Sequence, residues 1–167
     1  MLKKKMCRKT KFGEIAYQHA LNSTMNFRHG AIITKGSKII VSGHNHNRST
    51  ILGQIHTSVH AEIAVASKLI NQRIRKKTSN KYGYRNHLKK YIIWVVRAPQ
   101  AVSVSELNQK FKNSLPCRLC VNKLLELGFS KIGYSNTNGD MVVTHLNKIN
   151  TTMYSSSQRM YGQYFKY

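Results

Sequence analysis

Asn113–Ser135 reads NSLPCRLCVNKLLELGFSKIGYS, and the fold prediction depends on this stretch. Proline is favoured at the first position of a helix, so Pro116 predicts a helix start. Apolar residues follow at helical spacing until Gly128, a residue typical of the position just after a helix. Residues 131–135 then have the composition of a strand. The stretch therefore predicts a helix that leads directly into a β-strand.

Four further strands are predicted around this unit. Residues 91–96, YIIWVV, have the β-branched and aromatic content of a buried strand. Ala31–Thr34 and Lys38–Val41 flank a Lys-Gly-Ser turn and predict a hairpin. Residues 141–146 follow an Asn-Gly turn within Asn136–Asp140. Because that connection is short, this last strand is expected to pair antiparallel with the strand before it.

Two more helices complete the order of elements. Periodicity predicts a first helix over about Gly13–Asn22 and a second over about His60–Asn71, with Thr57 or Ser58 as its cap. Residues 42–56 contain few apolar anchors and are predicted to be a loop. The order helix, hairpin, helix, strand, helix, strand, strand predicts an α/β fold, with one five-stranded mixed sheet and helices packed on it.

Length and composition indicate one domain. The chain has 167 residues, of which 41% are hydrophobic, and this suffices for a folded core. No apolar run approaches the length of a membrane span, and no apolar segment follows the basic start MLKKKMCRKTK as it would in a secretory signal. Three cysteines with one close pair make a poor disulfide framework. We therefore expect a soluble, intracellular protein.

Basic residues dominate the charge of the chain. Twenty-eight Lys and Arg stand against five acids, which gives a formal net charge of +23. No acid lies between Glu62 and Glu106. A field of that sign and size favours an acidic partner, and nucleic acid is the usual one. The alternative is a solvated basic surface without such a partner.

The distribution of basic, polar and aromatic residues predicts three regions along the chain. Residues 1–11 carry six basic side chains and no acid, and they are predicted to be a flexible basic arm. Residues 12–147 are predicted to be the folded domain, with a basic insertion at residues 71–90. Residues 148–167 form a polar tail with interleaved tyrosines, which either contact nucleic acid or pack on the sheet.

The basic insertion alternates cationic side chains with aromatic rings. Such a mixture suits a phosphate backbone with stacked bases, whereas the alternative is a solvated loop. The candidate nucleic-acid-binding residues are Arg73, Arg75, Lys76, Lys77, Lys81, Tyr82, Tyr84, Arg85, Lys89 and Lys90.

Two helix starts carry the residues that predict chemistry. His60 and Glu62 begin one helix, and Cys117 and Cys120 begin another. Zinc prefers nitrogen and sulfur ligands, and a catalytic zinc site uses three of them and keeps one position open. A structural zinc knuckle or a redox cysteine pair is the alternative, but a knuckle needs a fourth ligand and Cys7 is the only other cysteine. The pattern H-x-E…P-C-x-x-C is the signature of zinc-dependent nucleobase deaminases.

Three segments resemble the cytidine and deoxycytidylate deaminase superfamily. HAEIAVA (60–66) and the NSLPCRLC stretch look like its two zinc motifs, and RHGAIITKGSKIIVSGHN (28–45) resembles the strands before the first motif. The resemblance covers about residues 13–147. It implies a three-layer α/β/α sandwich with one zinc ion per chain between two helix N-termini. The implied zinc ligands are His60, Cys117 and Cys120.

Other residues also have implied roles. Glu62 would take a proton from zinc-activated water and deliver it to the base and then to the departing amine. The resemblance implies substrate contacts at Asn45, Ala61 and Pro116, with the backbone N–H groups of Ala61 and Cys117 beside the reacting amino group. A turn-forming role is the alternative for Asn45.

Three functions are open at this point. The first is zinc-dependent hydrolytic deamination of a cytosine (or adenine) base in nucleic acid, which the charge favours. The second is deamination of free cytidine or deoxycytidylate, because an antiparallel last strand pair is common among relatives with such substrates. The third is a basic deaminase-fold protein that binds nucleic acid, is packaged in a virion and has little or no catalysis. For this third function, the Lys-, Asn- and Ile-rich composition resembles deaminase-like proteins of large DNA viruses. A homo-oligomer is a further implication of the family.

Overall fold

A five-stranded sheet with helices on both faces forms the framework of the protein. The structure is a computed structural model that describes residues 7–47, 50–51, 54–55, 58–74, 86–100 and 110–154. Its main elements are α1 (Arg8–Leu21), β1 (His29–Lys35), β2 (Lys38–His44), β3 (Thr50–Ile51), β4 (Gln54–Ile55), α2 (Ala61–Leu69), β5 (Tyr91–Arg97), α3 (Arg118–Leu127), β6 (Lys131–Ser135) and β7 (Met141–His145).

The sheet is mixed, with the strand order β2-β1-β5-β6-β7. Strand β1 pairs antiparallel with both β2 and β5, whereas β5 and β6 are parallel and are connected through α3. Strand β7 runs antiparallel to β6. The structure therefore confirms the five-stranded mixed sheet and the antiparallel last pair that the short Asn-Gly connection predicts.

Alternating side chains divide the core into two layers. Ala31 and Ile33 of β1 belong to the larger apolar cluster, which also contains residues of α2 and α3. Ile32 of β1 and Trp94 of β5 point to the other face, where α1 packs. Because successive side chains of a strand face opposite sides, β1 and β5 contribute to both clusters. The result is the predicted three-layer α/β/α sandwich.

Two helix starts differ from the prediction. Helix α1 begins at Arg8 rather than Gly13, so the prediction of a flexible arm was wrong for residues 8–11. Arginine and lysine are good helix formers, and the packing of Phe12 favours extending the helix toward its N-terminus. Pro116 precedes the N-cap, Cys117, instead of occupying the first helical position.

The region before α2 is more regular than predicted. Strand β2 continues to His44, and β3 and β4 form a small antiparallel hairpin within the predicted loop. Helix α2 has His60 as its N-cap instead of Ser58, while Thr57 lies outside the described residues. After α2 the chain continues through one π-helical segment, Ile70–Ile74. Among the residues that the structure describes, no helix combines the length and apolar character needed to cross a bilayer.

Gly30 allows α1 to lie directly against β1. A Cβ atom at this position would come within 2.0 Å of the Ala16 carbonyl oxygen and 2.3 Å of the Ala20 backbone nitrogen. Backbone atoms cannot move aside as the end of a flexible side chain can. The α1 layer therefore depends on the absence of a side chain at residue 30.

We predict that Gly30→Ala lowers the free energy of unfolding by about 3 kcal/mol, because the added methyl group overpacks the contact between α1 and β1. Urea denaturation followed by circular dichroism measures this change. Gly43→Ala is the matched control, since its Cβ would meet only a Val65 methyl carbon at 3.3 Å. Equal stability of the two variants would contradict this account of the layer contact.

Candidate metal centre

His60, Cys117 and Cys120 meet where two helices begin. His60 is the N-cap of α2 and Cys117 is the N-cap of α3, while Cys120 lies in the first turn of α3. Both N-caps have extended backbone conformations, and their carbonyl groups accept the first helical hydrogen bonds, from Ala64 and Val121. The side chain of His60 at the start of α2 therefore meets those of Cys117 and Cys120 at the start of α3.

The three side chains have the donor types and spacing of a zinc site. His60 Nδ1 lies 3.5 Å from Cys117 Sγ and 3.2 Å from Cys120 Sγ. One donor atom from each residue lies within 4.8 Å of the other two, and no other such group occurs in the described residues. Tetrahedral zinc with ordinary Zn–N and Zn–S bonds separates nitrogen from sulfur by roughly 3.5 Å. These residues therefore fit a zinc ion with three protein ligands.

Hydrogen bonds within the cluster stabilise a thiolate. The hydrogen bond from Cys120 lowers the pKa of Cys117 to about 4, and His60 contributes in the same direction against the effect of burial. The same hydrogen bond and burial raise the pKa of Cys120. Burial lowers the pKa of His60, but its hydrogen bond to Cys117 and the charge of Glu62 outweigh burial and raise that pKa to about 9. Metal binding would therefore release protons from this cluster.

Glu62 is buried in the first turn of α2, beside the cluster. Only 5% of its surface is exposed, and burial raises its pKa, while the charge of His60 opposes this shift. The side chains of Glu62 and Cys120 are also in hydrogen-bonding contact. Glu62 therefore contacts the cluster and is the buried acid best placed to exchange protons there.

Two serines hold the segment before Cys117 against the sheet. Ser114 Oγ donates to the Val95 carbonyl at 2.9 Å and accepts from the Ser135 backbone N–H at 2.9 Å. Ser135 Oγ donates to the Lys112 carbonyl at 2.6 Å. These bonds connect the segment before α3 to the ends of β5 and β6. Sequence reasoning missed both serines, because their pairing requires the parallel register of β5 and β6.

The chain after β7 also contributes to the start of α3. The backbone N–H of Arg118 donates to the Met153 carbonyl at 3.0 Å, which satisfies one of the unpaired donors at the helix N-terminus. Arg118 Nη1 donates to the Tyr154 hydroxyl at 3.3 Å. The sequence carries no pattern that would pair residue 153 with residue 118. The tail residues 155–167 lie outside the described part of the chain.

Asn45 is buried and connects the end of β2 to the start of β1. Its side-chain oxygen accepts hydrogen bonds from Ser23 Oγ at 2.7 Å and from the His29 backbone N–H at 2.8 Å. Its amide nitrogen donates to the Phe27 carbonyl at 2.7 Å. These bonds use most of the amide's capacity, so Asn45 stabilises the loop, and its contact with substrate stays a prediction.

Ala61 and Pro116 are buried beside the metal-binding residues. Ala61 is the first helical residue of α2, and Pro116 directly precedes Cys117. The structure thus brings both positions to the cluster. Their implied contacts with substrate stay predictions, as does that of the Cys117 backbone.

His29, the first residue of β1, is near enough to both His60 and Arg97 for their charges to affect its pKa. Burial lowers the pKa of His29 to about 4, the hydrogen bond to the Phe27 carbonyl opposes this shift, and the charges of His60 and Arg97 add to it. The imidazole is therefore neutral near pH 7. The guanidinium of Arg97 lies 4.6 Å from the centre of the Phe27 ring.

Most of the predicted nucleic-acid-binding residues lie outside the described part of the chain. Residues 75–85 are in this group, and for Arg73 only the backbone, within the π-helical segment, is described. Lys89 and Lys90 are exposed just before β5. A nucleic-acid contact by these residues stays a prediction.

Comparison with known proteins identifies a matching family. The model of the "cytidine and deoxycytidylate deaminase zinc-binding region" matches residues 6–136, well over half of the chain. A cytidine deaminase from Burkholderia pseudomallei is 20% identical, with 83% of this chain and 92% of that chain covered and a TM-score of 0.54. A dCMP deaminase from the cyanophage S-TIM5 is 17% identical, with 74% and 79% covered and a TM-score of 0.45. No curated protein matches the chain. The likeness to the Burkholderia enzyme supports the fold.

We predict that the purified protein binds about one zinc ion per chain and that Cys120→Ser binds far less, because a thiolate ligand is lost. Elemental analysis after dialysis measures the zinc content. Cys7→Ser is the matched control, since Cys7 is exposed and lies outside the cluster. Full zinc retention by Cys120→Ser, or loss of zinc in the control, would contradict the assigned cluster.

Proposed function

The chain belongs to the cytidine and deoxycytidylate deaminase zinc-binding family, and on this basis we propose that it hydrolyses the amino group of a cytosine base within nucleic acid. It is a zinc-dependent hydrolase of the deaminase type, and its sheet and helices have the corresponding fold. The observation that carries the proposal is the contact between buried Glu62 and the His60, Cys117 and Cys120 cluster. Adenine is the alternative base.

The reaction adds water to the ring carbon that bears the amino group and releases ammonia. A zinc ion supplies Lewis acidity that makes hydroxide available near neutral pH. His60, Cys117 and Cys120 would hold the ion. Glu62 would accept one proton from water and pass it to the adjacent ring nitrogen. It would then accept the second proton, from the hydroxyl group that has been added to the ring carbon, and pass it to the departing amine. Burial raises the pKa of Glu62, which makes its carboxylate a better acceptor for the proton that water loses.

The charge of the chain supports a polynucleotide substrate. The formal net charge is +23, and the described residues contain only two ion pairs, Lys110–Glu14 and Lys123–Glu126. Most positive charges are therefore uncompensated within the chain. A strand of nucleic acid neutralises such charges, and its flexible single-stranded form can present an unstacked base to a buried site.

A free nucleoside or nucleotide is the second candidate substrate. The observation that favours it is the antiparallel pairing of β7 with β6 through a short turn. Among relatives of this family, an antiparallel last strand pair is common in enzymes that act on free nucleosides. Both candidates use the same zinc cluster and the same proton transfers, so they differ only in how the sugar and phosphate groups are bound.

We predict that Glu62→Gln lowers kcat by about 100- to 10,000-fold while zinc binding persists, because an amide cannot transfer protons. The rate is measured as the release of ammonia from the substrate in the presence of zinc-loaded protein. Glu126→Gln on the exposed side of α3 removes an equal charge and should leave the rate unchanged. Undiminished turnover by Glu62→Gln would exclude Glu62 as the proton carrier. If neither the parent protein nor the variant turns over any substrate while both bind nucleic acid, a purely binding role replaces the enzymatic one.

We expect cytosine to be converted to uracil in single-stranded DNA or RNA more efficiently than in cytidine or deoxycytidylate, because the strand adds phosphate contacts. A deamination panel over these substrates gives the ratio of kcat/KM values. Affinity for the strand should fall steeply as salt rises, since binding displaces counterions. Activity confined to the free nucleoside and nucleotide, with a flat salt response, would favour the second candidate.

A further inference from the structure

Arg97 ends β5 at the edge of the sheet where the metal-binding helices begin. Arg97 pairs with His29 of β1, and the next pair on the same face is Val95 with Ala31. Arg97 lies two residues after Val95, and His29 lies two residues before Ala31. Side chains two apart in a strand share a face, so Arg97 and His29 lie on the face covered by α2 and α3. The Arg97 carbonyl accepts from the Lys112 backbone N–H at 2.9 Å, just before the segment that leads to Cys117.

An aromatic ring lies against the Arg97 guanidinium. The guanidinium lies 4.6 Å from the centre of the Phe27 ring, and Phe27 is itself 48% exposed. Its Nε is buried and has no hydrogen-bond partner among the described residues. Neither of the two ion pairs in the described part of the chain includes Arg97. An aromatic ring offers the guanidinium no oxygen or nitrogen acceptor, so the N–H groups of Arg97 can still bind an anion.

Arg28 shows how an arginine with a structural role is bound in the same region. Its Nη2 donates to the Pro99 carbonyl at 2.8 Å, so part of its donor set is used within the protein. An unpaired buried donor on a charged group is costly, and native proteins rarely leave one without a partner. We therefore expect the hydrogen-bond acceptor for the Arg97 guanidinium to be a group other than the described residues. At a site for nucleotide bases, the matching anion is a phosphate.

We propose that Arg97, supported by the Phe27 ring, binds a phosphate group attached to the sugar of the base that is deaminated. Arg97 is then a specificity-determining residue that makes the site prefer nucleotides to nucleosides. This inference rests on the proposed deaminase function, and it names the phosphate-bearing part of the substrate. The phosphate belongs either to a free nucleotide or to a phosphodiester of a strand, which present the same chemistry to the guanidinium.

The test compares Arg97→Gln with the parent protein on deoxycytidine, deoxycytidylate and a short single-stranded oligonucleotide that contains one cytosine. We expect kcat/KM for one or both phosphorylated substrates to fall by about 10- to 100-fold, the range for loss of a charge-assisted hydrogen bond. For deoxycytidine we expect a change of less than about 2-fold, because the base and the zinc cluster are untouched. A loss confined to deoxycytidylate identifies a free nucleotide, and a loss with the oligonucleotide identifies a strand.

Lys35→Gln is the matched control, because it removes one positive charge at the opposite end of β1. Arg97→Lys separates charge from shape, and we expect it to restore only part of the preference, since lysine lacks the planar fork. An equal fall for deoxycytidine and the phosphorylated substrates, or no change in any of them, would overturn the proposal. The same loss in Lys35→Gln would also overturn it, because net charge would then explain the effect.

A binding measurement keeps this inference separate from the deaminase function. Calorimetry on zinc-loaded Glu62→Gln, with and without Arg97→Gln, compares the affinity for deoxycytidylate with that for deoxycytidine. A preference for deoxycytidylate that disappears with Arg97→Gln supports phosphate binding even if no substrate is turned over. Normal turnover without any phosphate preference leaves the deaminase function intact and overturns the role of Arg97.

Discussion

The meeting of two helix N-termini at one edge of the sheet is the constraint on which the rest of the structure depends. The parallel pairing of β5 and β6 requires a crossover, and α3 supplies it, so α3 begins at the carboxyl end of β5. Hydrogen bonds from Ser114 and Ser135 fix this crossover to both strands. Cys117 and Cys120 then reach His60 at the start of α2. Without this connectivity the three donors would not share one space.

The electrostatics of the centre follow from the same arrangement. The hydrogen bond from the Cys120 side chain favours the thiolate of Cys117, and His60 and the backbone N–H of Cys120 at the helix N-terminus add to this effect. The chain as a whole is strongly basic, yet Glu62, the proposed proton carrier, is buried next to the His60, Cys117 and Cys120 cluster. The proposed function therefore assigns proton transfer and substrate attraction to different groups: the buried carboxyl group of Glu62 would perform the first, and uncompensated cations such as Arg97 would support the second.

Local signals in the sequence were sufficient for the main helices and the five strands of the large sheet, but not for the small β3–β4 hairpin or for the contacts between elements. Glycine after α3, the β-branched content of β5 and the spacing of HAE and PCRLC are all local, and they predicted the helix end, the strand and the cluster members. Long-range pairs carry no local pattern. The hydrogen bonds of Asn45 with Ser23 and Phe27 could not be predicted for this reason, and neither could the contact of Arg97 with the Phe27 ring. The start of α1 was misplaced because a run of basic residues is compatible with a flexible arm as well as with a helix.

X-ray absorption at the zinc K-edge tests the central claim most directly, because it counts the ligand types around the metal. For the zinc-loaded protein the account predicts about two sulfur atoms near 2.3 Å and one imidazole nitrogen at about 2.0 to 2.1 Å, with one further light atom in the open position. A zinc shell of four sulfur atoms, or one of nitrogen and oxygen atoms alone, would contradict a centre built from His60, Cys117 and Cys120.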